Sequence, residues 1–441
     1  MTGPAYQPLV TIATTDFAAV TRGRPVFEES LERVAKSGIG WVPANIALTP
    51  FNTIASPNPW GSSGDLRILP DLSARYRTTM TGAATPFDLV LGDIVELDGT
   101  PWSACSRSFL KQALADLKAR AGLSMTATFE QEFQLAADGG PIAHAFSVEA
   151  LRRADPFAPR LAACLAEAGV DPEMVLAEYG ADQFEATHAP TDALQAADRA
   201  IAIREITREV ARYLGRPASF SPKTSLEGVG NGVHIHFSFS TLDGAPATYA
   251  ADRQGGLSEI AGAFCAGIIA YLPAFLTLTA SSVASYYRLK PHNWSSSYTW
   301  LAERDREAAL RLCPIVAIGG RDPAKQFNIE FRAADASANP YLSLGALVRA
   351  GLAGIESHLA TPPIVSGDPG LMTEAERAAK GLRRLPESLD EALCAFEEDP
   401  FVGSWFDPIA KESFIAMKRA EMAALEGLDP GAVCERYRAA Y

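Results

Sequence analysis

The chain has 441 residues, of which 48% are hydrophobic and 21% are charged, and its formal net charge is −13. These proportions are those of a globular protein with room for two domains. The acidic balance argues against a nucleic-acid binder, which needs a basic surface, so we expect an enzyme that acts on small molecules and has no nucleic-acid partner.

The N-terminal part of the chain predicts a mixed, loop-rich domain. Short β-like runs lie at Leu9–Ala13, Ile39–Val42 and Phe87–Asp93, and a helical pattern lies at Glu28–Ser37. The loop Thr49–Gly64 is rich in proline, serine and glycine. It is long for a compact domain, so we expect it to be either functional or disordered.

A break near Pro101 divides the chain into predicted domains at residues 1–100 and 101–441. The second domain begins with an amphipathic helix for which Ser106 is the expected N-cap and Gly122 the end. Strands and helices alternate after this helix. The further expected elements are strand Ser124–Leu135, helices Val148–Ala154 and Pro159–Ala168, strand Val175–His188, helix Asp192–Leu214, a strand with two histidines, an apolar helix, strands Ala308–Val316 and Gln326–Ala333, and a largely helical C-terminal third.

The apolar segment Ile260–Ala280 carries no charge and is long enough to span a bilayer. It is isolated, rich in alanine, glycine and threonine, and interrupted by Pro273. We therefore predict a buried, kinked helix rather than a membrane span. The N-terminus lacks the basic flank and apolar core of a signal peptide, and the six cysteines include no CxxC pair, so we expect free thiols and a cytoplasmic location.

Several predicted strands place charged side chains on one face and apolar side chains on the other. In TATFEQEFQL, Glu130 and Glu132 are two residues apart and therefore share a face. The same pattern continues in Glu178 and Glu185, in His234 and His236, and in Glu330 with Arg332. Buried like charges repel unless a cation neutralises them, and carboxylates with a histidine suit hard cations. The pattern predicts a site for Mg²⁺ or Mn²⁺.

Each of these signals has an ordinary structural interpretation when it stands alone. A Glu-x-Glu in a strand is usually a solvated sheet face, and a His-x-His is usually a surface or packed pair. Arg306 and Arg311 are compatible with plain surface charges. Together with Arg288 and Arg332, however, they suit an anionic substrate, above all nucleotide phosphates. The joint occurrence of the acids, histidines and arginines favours a charged cavity.

In order and spacing, these residues resemble the motifs of the glutamine synthetase superfamily, and the resemblance runs over most of the chain. Six motifs of the family have counterparts in this chain. They are its Glu-x-Glu, its two later carboxylates, its glycine-rich segment ending in His-x-His, its substrate arginine after Ser-Tyr, its paired arginines and its Glu-x-Arg before Asn-Pro-Tyr. The matching residues follow in the same order. They are Glu130, Glu132, Glu178, Glu185, Gly230–His236, Arg288, Arg306, Arg311, Glu330 and Arg332. The phrase GDLRILPDLS resembles the end of the family's N-terminal domain.

The resemblance implies an α+β fold. An N-terminal β-grasp domain precedes a glutamine synthetase-type catalytic domain with a curved antiparallel sheet flanked by helices. It implies a homo-oligomer, commonly a dodecamer of two stacked hexameric rings, with each active site between subunits. In the implied reaction, ATP phosphorylates the γ-carboxylate of glutamate, and an amine then displaces phosphate. The expected partners are therefore glutamate, ATP and an amine, without a membrane.

The resemblance also implies roles for individual residues. One cation would be held by Glu132, Glu178 and Glu185, and the other by Glu130, His234 and Glu330. Arg306 would stabilise the transferring phosphoryl group, with Glu178 as the nearest candidate base. Glutamate contacts are implied for Gly230, His234, Arg288 and Arg332, and ATP contacts for Glu173, His236, Ser238, Arg306, Arg311 and Lys325.

Two departures from the family concern the ammonium site. Glutamine synthetases have a glutamate six residues after the substrate arginine, where this chain has Trp294. A tryptophan cannot accept a proton but packs on apolar or aromatic groups, so we assign Trp294 to an amine pocket, with a purely structural lid role as the alternative. The aspartate of the family's N-terminal loop falls near Phe51, and the segment Thr49–Trp60 contains no acid.

Two further departures concern glutamate binding and regulation. The asparagine expected five residues before His234 is Val229, which leaves the contacts to the α-amino group of glutamate open. The tyrosine that some bacterial members carry for adenylylation falls near Arg383, so we do not expect that form of regulation.

The sequence therefore predicts an ATP-dependent carbon–nitrogen ligase that forms a γ-glutamyl amide from glutamate and an amine. The acceptor is expected to be bulkier or less polar than ammonia, such as an alkyl-, poly- or arylamine. Three alternatives stay open: a glutamine synthetase that uses ammonia, a ligase whose acid is not glutamate, and an inactive relative with a binding or regulatory role. The complete set of mutually repelling ligands argues against the inactive relative.

Overall fold

The computed structural model describes residues 6–441. The elements of its N-terminal part are β1 (Leu9–Thr15), β2 (Thr21–Phe27), α1 (Leu31–Ser37), β3 (Ile39–Trp41), β4 (Leu66–Thr78) and β5 (Phe87–Val95). The five strands form one mixed sheet in the order β2-β1-β5-β4-β3. β1 is parallel to β5, and the other neighbouring pairs are antiparallel.

Two strands of this sheet are not predicted by the sequence. β2 is an edge strand that contains two arginines and Pro25, a composition that is tolerated only where one side of a strand lacks a partner. β4 carries Pro70, and its register with β5 shifts between Pro70 and Arg75. The shift interrupts the alternation of buried and exposed residues on which the sequence prediction relies.

The long loop Thr49–Gly64 packs against the C-terminal helices of its own chain. The indole Nε1 of Trp60 donates a hydrogen bond to Ser413 Oγ at 3.0 Å. Near the other end of the loop, the ring of Phe51 lies 5.3 Å from that of Tyr437. These contacts anchor both ends of the segment that lacks acidic residues.

The C-terminal part of the chain contains a second sheet and most of the helices. Its elements are α2 (Ser106–Ala121), β6 (Leu123–Leu135), α3 (Val148–Arg153), α4 (Phe157–Glu167), β7 (Pro172–Ala177), β8 (Gln183–His188), β9 (Thr191–Asp192), α5 (Ala193–Tyr213), β10 (Ala218–Ser219), β11 (Val233–Thr241), α6 (Glu259–Phe275), α7 (Ser285–Arg288), β12 (Leu301–Glu303), β13 (Leu310–Leu312), α8 (Pro323–Gln326), β14 (Ile329–Phe331), α9 (Pro340–Glu356), α10 (Glu374–Ala379), α11 (Leu389–Glu398), α12 (Pro400–Gly403), α13 (Pro408–Ala423) and α14 (Pro430–Ala440). The strands follow the order β12-β13-β14-β11-β6-β8-β7, and β9 and β10 also pair with β6. Among the described strands of this sheet, β12 and β13 pair in parallel and the other pairs are antiparallel.

Three predicted strands are shorter in the structure or divided. The predicted strand Val175–His188 is the hairpin of β7 and β8, which turns at Asp182 with a φ of 55°. The expected strands Ala308–Val316 and Gln326–Ala333 reduce to β13 and β14, each of three residues. Apolar runs predict where such strands lie, but their ends depend on the partners available in the sheet.

The expected N-cap of α2 is wrong by one residue. Cys105 is the N-cap, without a side-chain cap, and Ser106 is the first helical residue. The Ser106 hydroxyl instead donates a hydrogen bond to the carbonyl of Thr15 on β1 at 2.9 Å. Gly122 ends the helix in a left-handed conformation, as predicted.

The apolar helix α6 lies inside the protein. The segment Glu259–Leu278 is long and apolar enough to cross a membrane, but 67% of its most apolar window is buried by the rest of the chain. The backbones of α6 and α9 are in contact at Gly267. A Cβ added to this glycine would lie 2.1 Å from the carbonyl oxygen of Ala350, so only glycine fits here. Pro273 lies in the last turn, after which the chain continues as a 3-10 turn, Leu276–Leu278. Burial, rather than insertion into lipid, therefore accounts for the composition of this segment.

A buried arginine joins the N-terminal sheet to two helices of the C-terminal part of the chain. Arg107, at the start of α2, is 1% exposed and pairs with Asp71 and Asp93 of the N-terminal sheet at 2.8 and 3.1 Å. The same guanidinium pairs with the buried Asp198 of α5 at 2.8 Å. Burial raises the pKa of Asp198, and the charge of Arg107 opposes that shift. Arg107 is thus the counter-ion that makes this buried carboxylate tolerable.

We expect the Arg107→Met variant to lose about 3–5 kcal/mol in free energy of unfolding, because it leaves Asp198 buried without its positive partner. Urea unfolding followed by circular dichroism measures the loss. Arg120→Met, on the same helix, is the matched control, since Arg120 pairs with Glu356 at the surface and its loss should cost less than about 1 kcal/mol. Equal losses for the two variants would contradict this account.

Candidate active site

The second sheet separates an apolar face from a charged face. On β6, Phe129 and Gln131 are buried, and Gln131 donates to the carbonyl of Ala200 on α5 at 2.7 Å. Glu130 and Glu132 alternate with them and are partly exposed on the opposite face. Because side chains of a strand alternate, the apolar face fixes the direction of both carboxylates.

The strand with two histidines lies directly beside this acidic pair. In the β6–β11 register, His234 is opposite Glu130, and its Nδ1 lies 3.2 Å from Glu130 Oε2. His236 Nε2 lies 3.1 Å from Glu130 Oε1, so both imidazoles contact one carboxylate. Burial by itself would raise the pKa of Glu130, but hydrogen bonding and charge from the two histidines hold it below its usual range. Glu130 therefore stays ionised.

Three further carboxylates, those of Glu132, Glu178 and Glu185, lie on the same face of the sheet, toward the hairpin of β7 and β8. Glu185 is opposite Glu132 in the β6–β8 register, and the backbone N–H of Gly232 donates to Glu132 Oε2 at 2.7 Å. Burial, followed by repulsion from Glu130, Glu132 and Glu178, raises the pKa of Glu185 to about 9. Burial and then the charge of Glu132 raise the pKa of Glu178 as well. The cluster thus holds more negative charge than its own residues neutralise.

The donor atoms of this cluster fit a divalent cation. Ligand atoms of Glu130, Glu185 and His234 all lie within 4.8 Å of one another. They are carboxylate oxygens with one imidazole nitrogen, which is a hard donor set. Burial and then the neighbouring carboxylates raise the pKa of Glu185, and a bound cation would relieve the part that comes from repulsion.

A buried carboxylate with the opposite behaviour lies on β14. Glu330 is 1% exposed and contacts Arg311 at 2.5 Å and also Arg332. Burial alone would raise the pKa of Glu330, but positive charges led by Arg332 lower it to about 2. Arg332 also donates from Nε to the carbonyl of Arg306 at 2.7 Å and from Nη2 to the carbonyl of Trp294 at 3.2 Å. One guanidinium therefore connects the sheet to the segment 294–306.

The glycine-rich segment before β11 makes room for Arg288. A Cβ on Gly230 would lie 2.6 Å from Arg288 Cγ, and one on Gly232 would lie 2.5 Å from Arg288 Nη2. Arg288 is buried and donates from Nη2 to the carbonyl of Arg332 at 3.2 Å. Its Nη1 has no hydrogen-bond partner among the described residues, so a charged donor is available for an anionic ligand.

The remaining predicted residues lie at the margins of this charged face. Ser238 follows the histidines on the same side of β11. Arg306 is exposed, and its charge opposes the upward shift in the pKa of Glu178. Glu173 and Lys325 are exposed, and no hydrogen bond or ion pair within residues 6–441 joins their side chains to the cluster.

Trp294 lies in the segment that follows Arg288. Its side chain is 69% exposed, and its φ is 54°, in the left-handed region. Glu307 holds the backbone here, because its carboxylate accepts hydrogen bonds from the N–H groups of His292 and Trp294 at 3.1 and 3.3 Å. The indole is thus free to contact a ligand, while the backbone beneath it is fixed.

Sequence reasoning missed two neighbours of His236. Cys313 Sγ lies 3.6 Å and Asn328 Oδ1 lies 2.8 Å from His236 Nδ1. Each is two residues from a predicted site arginine or acid, Arg311 or Glu330, on a strand or its extension. The period-two spacing could therefore have assigned both to the charged face, although it could not place them beside His236.

It also missed an aromatic pair next to Glu178. The rings of Phe146 and Tyr179 lie 6.3 Å apart and are 64% and 66% exposed. The backbone N–H of Phe146 donates to the carbonyl of Glu178 at 3.4 Å. The sequence contains a signal only for Tyr179, which directly follows the acid, since Phe146 comes from a distant loop.

Comparisons with known proteins agree with this arrangement. A family model described as the glutamine synthetase catalytic domain matches residues 103–430, and one described as the glutamine synthetase N-terminal domain matches residues 5–102. The chain belongs to the glutamine synthetase family. The predicted α+β fold and the ATP-dependent ligase class are confirmed by this membership in the glutamine synthetase family.

Three members similar to this glutamine synthetase-family chain are informative. A γ-glutamylpolyamine synthetase of Streptomyces coelicolor is 34% identical over 441 residues, covering 98% of this chain and 93% of the relative. A glutamate–methylamine ligase of Methyloversatilis universalis is 30% identical over 351 residues, covering 73% and 74%. A crystal structure described as a novel glutamine synthase homolog has a TM-score of 0.92 and 42% identity, and covers 100% of both chains. The predicted formation of a γ-glutamyl amide from glutamate and an amine is confirmed by these findings.

Proposed function

We propose that the acceptor is an organic amine larger than ammonia, either an alkylamine, an arylamine or a polyamine, and that it binds beside Glu178. The observation that carries this proposal is the exposed ring pair of Phe146 and Tyr179, two residues whose backbone N–H groups both donate to Glu178. Aromatic faces attract organic cations and cover their apolar carbons, whereas ammonium offers no carbon surface to cover.

Two departures from the family pattern support the same acceptor. The position six residues after Arg288 is the exposed Trp294, and the anchored segment Thr49–Trp60 contains no acid. A site built for ammonium gains from negative groups around that ion. The relatives named for polyamine and methylamine substrates fit this interpretation.

We propose that the carboxylate cluster holds two or more Mg²⁺ or Mn²⁺ ions. When bound, these ions would offset repulsion between the carboxylate of glutamate and the phosphates of ATP. The residues for one ion are Glu132, Glu178 and Glu185, and those for the other are Glu130, His234 and Glu330. Glu185 would release its proton when it becomes a ligand.

The arginines divide the anionic groups between them in this proposal. Arg288 and Arg332, which lie next to each other on the glycine-rich side, would hold the carboxylates of glutamate, with Gly230 and His234 beside them. The exposed Arg306 would stabilise the phosphoryl group during transfer. ATP would be contacted by Arg306 and Arg311 and by Glu173, His236, Ser238 and Lys325.

Glu178 would act as the base in the second step. The amine nitrogen attacks the acyl carbon of γ-glutamyl phosphate, the bond to the phosphate oxygen breaks, and phosphate leaves. The nitrogen must lose a proton, and Glu178 is the nearest candidate to accept it, because Phe146 and Tyr179, whose backbone N–H groups donate to Glu178, carry the rings proposed to contact the amine.

We further propose a cytoplasmic homo-oligomer, a dodecamer of two hexameric rings, with domains at residues 1–100 and 101–441. The family membership and the burial of α6 support these assignments. Light scattering coupled to size-exclusion chromatography should give a mass twelve times that of the chain. A monomer would contradict the ring.

An amine panel tests the acceptor directly. The enzyme is incubated with ATP, Mg²⁺ or Mn²⁺ and glutamate, and ammonium, methylamine, butylamine, aniline, putrescine or spermidine is added singly. Phosphate release and product mass are recorded. We expect at least one organic amine to exceed ammonium about tenfold in kcat/KM, and ammonium as the best acceptor would overturn the proposal. Nucleotide binding without turnover would favour a binding protein.

We expect Phe146→Ala and Tyr179→Ala each to raise KM for the preferred organic amine about tenfold, because each removes a ring contact worth about 1–2 kcal/mol. KM for glutamate should change little. Steady-state kinetics with both substrates measures the effect, and Phe27→Ala, exposed on β2, is the control. Unchanged amine kinetics in both variants would place the acceptor elsewhere.

We expect Trp294→Glu to raise kcat/KM for ammonium about tenfold and to lower it for the preferred organic amine. The added carboxylate would attract the small cation and can accept its proton. Competition between the two amines, with products separated by mass, measures the shift. Trp294→Gln is the control, because glutamine has the size of glutamate without its charge. The same gain in kcat/KM for ammonium in that variant would argue against the electrostatic explanation.

A further inference from the structure

We propose that Cys313, His236 and Glu330 form a Zn²⁺ site at the edge of the catalytic cavity, and that Zn²⁺ bound there inhibits the enzyme. The three side chains meet where β13, β11 and β14 adjoin. Their binding of Zn²⁺ is independent of the amine acceptor, and only the inhibition rests on the proposed roles of Glu330 and His236.

The spacing of the donor atoms matches that of a zinc site. Cys313 Sγ lies 3.6 Å from His236 Nδ1 and 3.9 Å from Glu330 Oε2, and the three residues offer donor atoms within 4.8 Å of one another. Tetrahedral Zn²⁺ binds sulfur at about 2.3 Å and nitrogen or oxygen at about 2.0–2.2 Å, so adjacent ligand atoms lie about 3.5 Å apart. The backbone therefore already holds these donors near zinc spacing.

The thiol changes which metal this corner prefers. Mg²⁺ binds oxygen donors and Mn²⁺ also favours them, whereas thiolate and imidazole ligands favour Zn²⁺. The carboxylate cluster of Glu130, Glu132 and Glu185 lacks sulfur, so the two regions of the cavity differ in metal preference. Zn²⁺ is expected to bind at Cys313 even in an excess of Mg²⁺.

The surroundings of His236 support ligation through Nδ1. Its Nε2 faces Glu130 Oε1 at 3.1 Å, which leaves Nδ1 directed toward Cys313. Asn328 Oδ1, at 2.8 Å from Nδ1, gives up that contact when the ion binds. The amide oxygen stays within reach as an additional donor.

Zinc at this position would interfere with the phosphoryl machinery. Glu330 Oε2, the oxygen nearest Cys313, also contacts Arg311 at 2.5 Å. An ion on that oxygen competes with the guanidinium and withdraws Glu330 from the nucleotide-side cation. Inhibition should therefore weaken as the concentration of Mg²⁺ and ATP rises.

Zn²⁺ binding is measured by calorimetry on the full-length protein in excess Mg²⁺. We expect Cys313→Ser to weaken this binding about 100-fold, since loss of a direct ligand should cost at least as much as loss of an outer-shell partner, which costs up to about 100-fold. Co²⁺ in place of Zn²⁺ should give a thiolate-to-cobalt charge-transfer band in the wild type that Cys313→Ser lacks. The matched control is Cys394→Ser, because Cys394 is the other partly exposed cysteine and the remaining four are buried.

Inhibition is then compared between variants, each relative to its own zinc-free rate. The Zn²⁺ concentration for half inhibition should rise about 100-fold in Cys313→Ser and stay unchanged in Cys394→Ser. Equal inhibition of both variants would overturn the proposal and locate Zn²⁺ at the oxygen ligands, and so would a missing cobalt band in the wild type. An enzyme inactive with every amine would contradict the proposed function, while the binding and cobalt measurements, which need no turnover, would still decide whether the site exists.

Discussion

The Glu185→Gln variant is expected to keep its fold and to lose at least about 1000-fold in kcat/KM. Glutamine has the shape of protonated glutamate, which is the form that burial and the neighbouring acids favour in the cation-free protein. It cannot supply the negative charge that a divalent cation needs. Stabilisation of the transferring phosphoryl group by a bound cation is worth several kcal/mol, and about 4 kcal/mol corresponds to a factor of 1000.

The pH dependence of stability gives a second measure of Glu185. Its pKa is raised to about 9 in the fold, from near 4.5 in the unfolded chain. The folded state therefore binds more protons between these values, so stability without cations falls as pH rises from about 5 to 9. Glu185→Gln has no ionisable group at this position, so it should be more stable than the wild-type protein at pH 8. Urea unfolding at several pH values, in the presence of a chelator, measures the difference.

Calorimetry in two buffers of different ionisation enthalpy completes this test. Wild-type protein should release a proton when it binds Mn²⁺ near pH 7.5, whereas Glu185→Gln should bind weakly and release none. Glu149→Gln, exposed on α3, is the control and should behave as wild type. Full ligase activity in Glu185→Gln would remove Glu185 from the cation site.

The Arg332→Lys variant is expected to raise KM for glutamate about 100-fold. Arg332 contacts three acceptors at once: the carboxylate of Glu330 and the carbonyl oxygens of Arg306 and Trp294. A lysine ammonium is a single compact donor and cannot span these groups. Two charge-assisted hydrogen bonds, each worth about 1.5–3 kcal/mol, account for an effect of this size.

Arg332→Lys should also loosen the segment 294–306. Hydrogen exchange followed by mass spectrometry should show faster exchange there, while β6 keeps its protection. Arg120→Lys changes a surface ion pair and should alter neither KM nor exchange. A raised KM with unchanged exchange would mean that Arg332 binds the substrate without anchoring the segment.

The sequence predicts strands well where charged and apolar residues alternate. β6 and β11 follow from that alternation, because each has one face in the core and one face in the cavity. β2 and β4 do not, since an exposed edge strand and a strand with a register shift lack the alternation. The ends of β13 and β14 depend on neighbours that come from distant parts of the chain.

Prediction of the charged face from the sequence is limited in the same way, because contacts between separate strands and loops leave no periodic pattern. Period-two spacing predicts that Glu130 and Glu132 share a face, and motif order suggests which strands join them. Spacing cannot show that Cys313 lies beside His236, because the contact depends on the pairing of separate strands. Phe146 reaches Glu178 from a loop whose course no periodic pattern describes. The prediction is therefore strongest for side chains on long strands and weakest for those on loops.

The register of the sheet has a consequence for engineering. β6 pairs with β11 on one side, where Glu130 is opposite His234, and with β8 on the other, where Glu132 is opposite Glu185. Inserting a single residue into β6, β8 or β11 would turn the side chains beyond it to the opposite face and so disrupt the ligand set. The rings proposed to contact the amine lie outside the strands that carry that set. Segments 136–147 and 289–300, together with position 179, are thus suitable for grafting from a relative with a different acceptor, which would exchange substrate choice while the strands that carry the cation ligands stay unchanged.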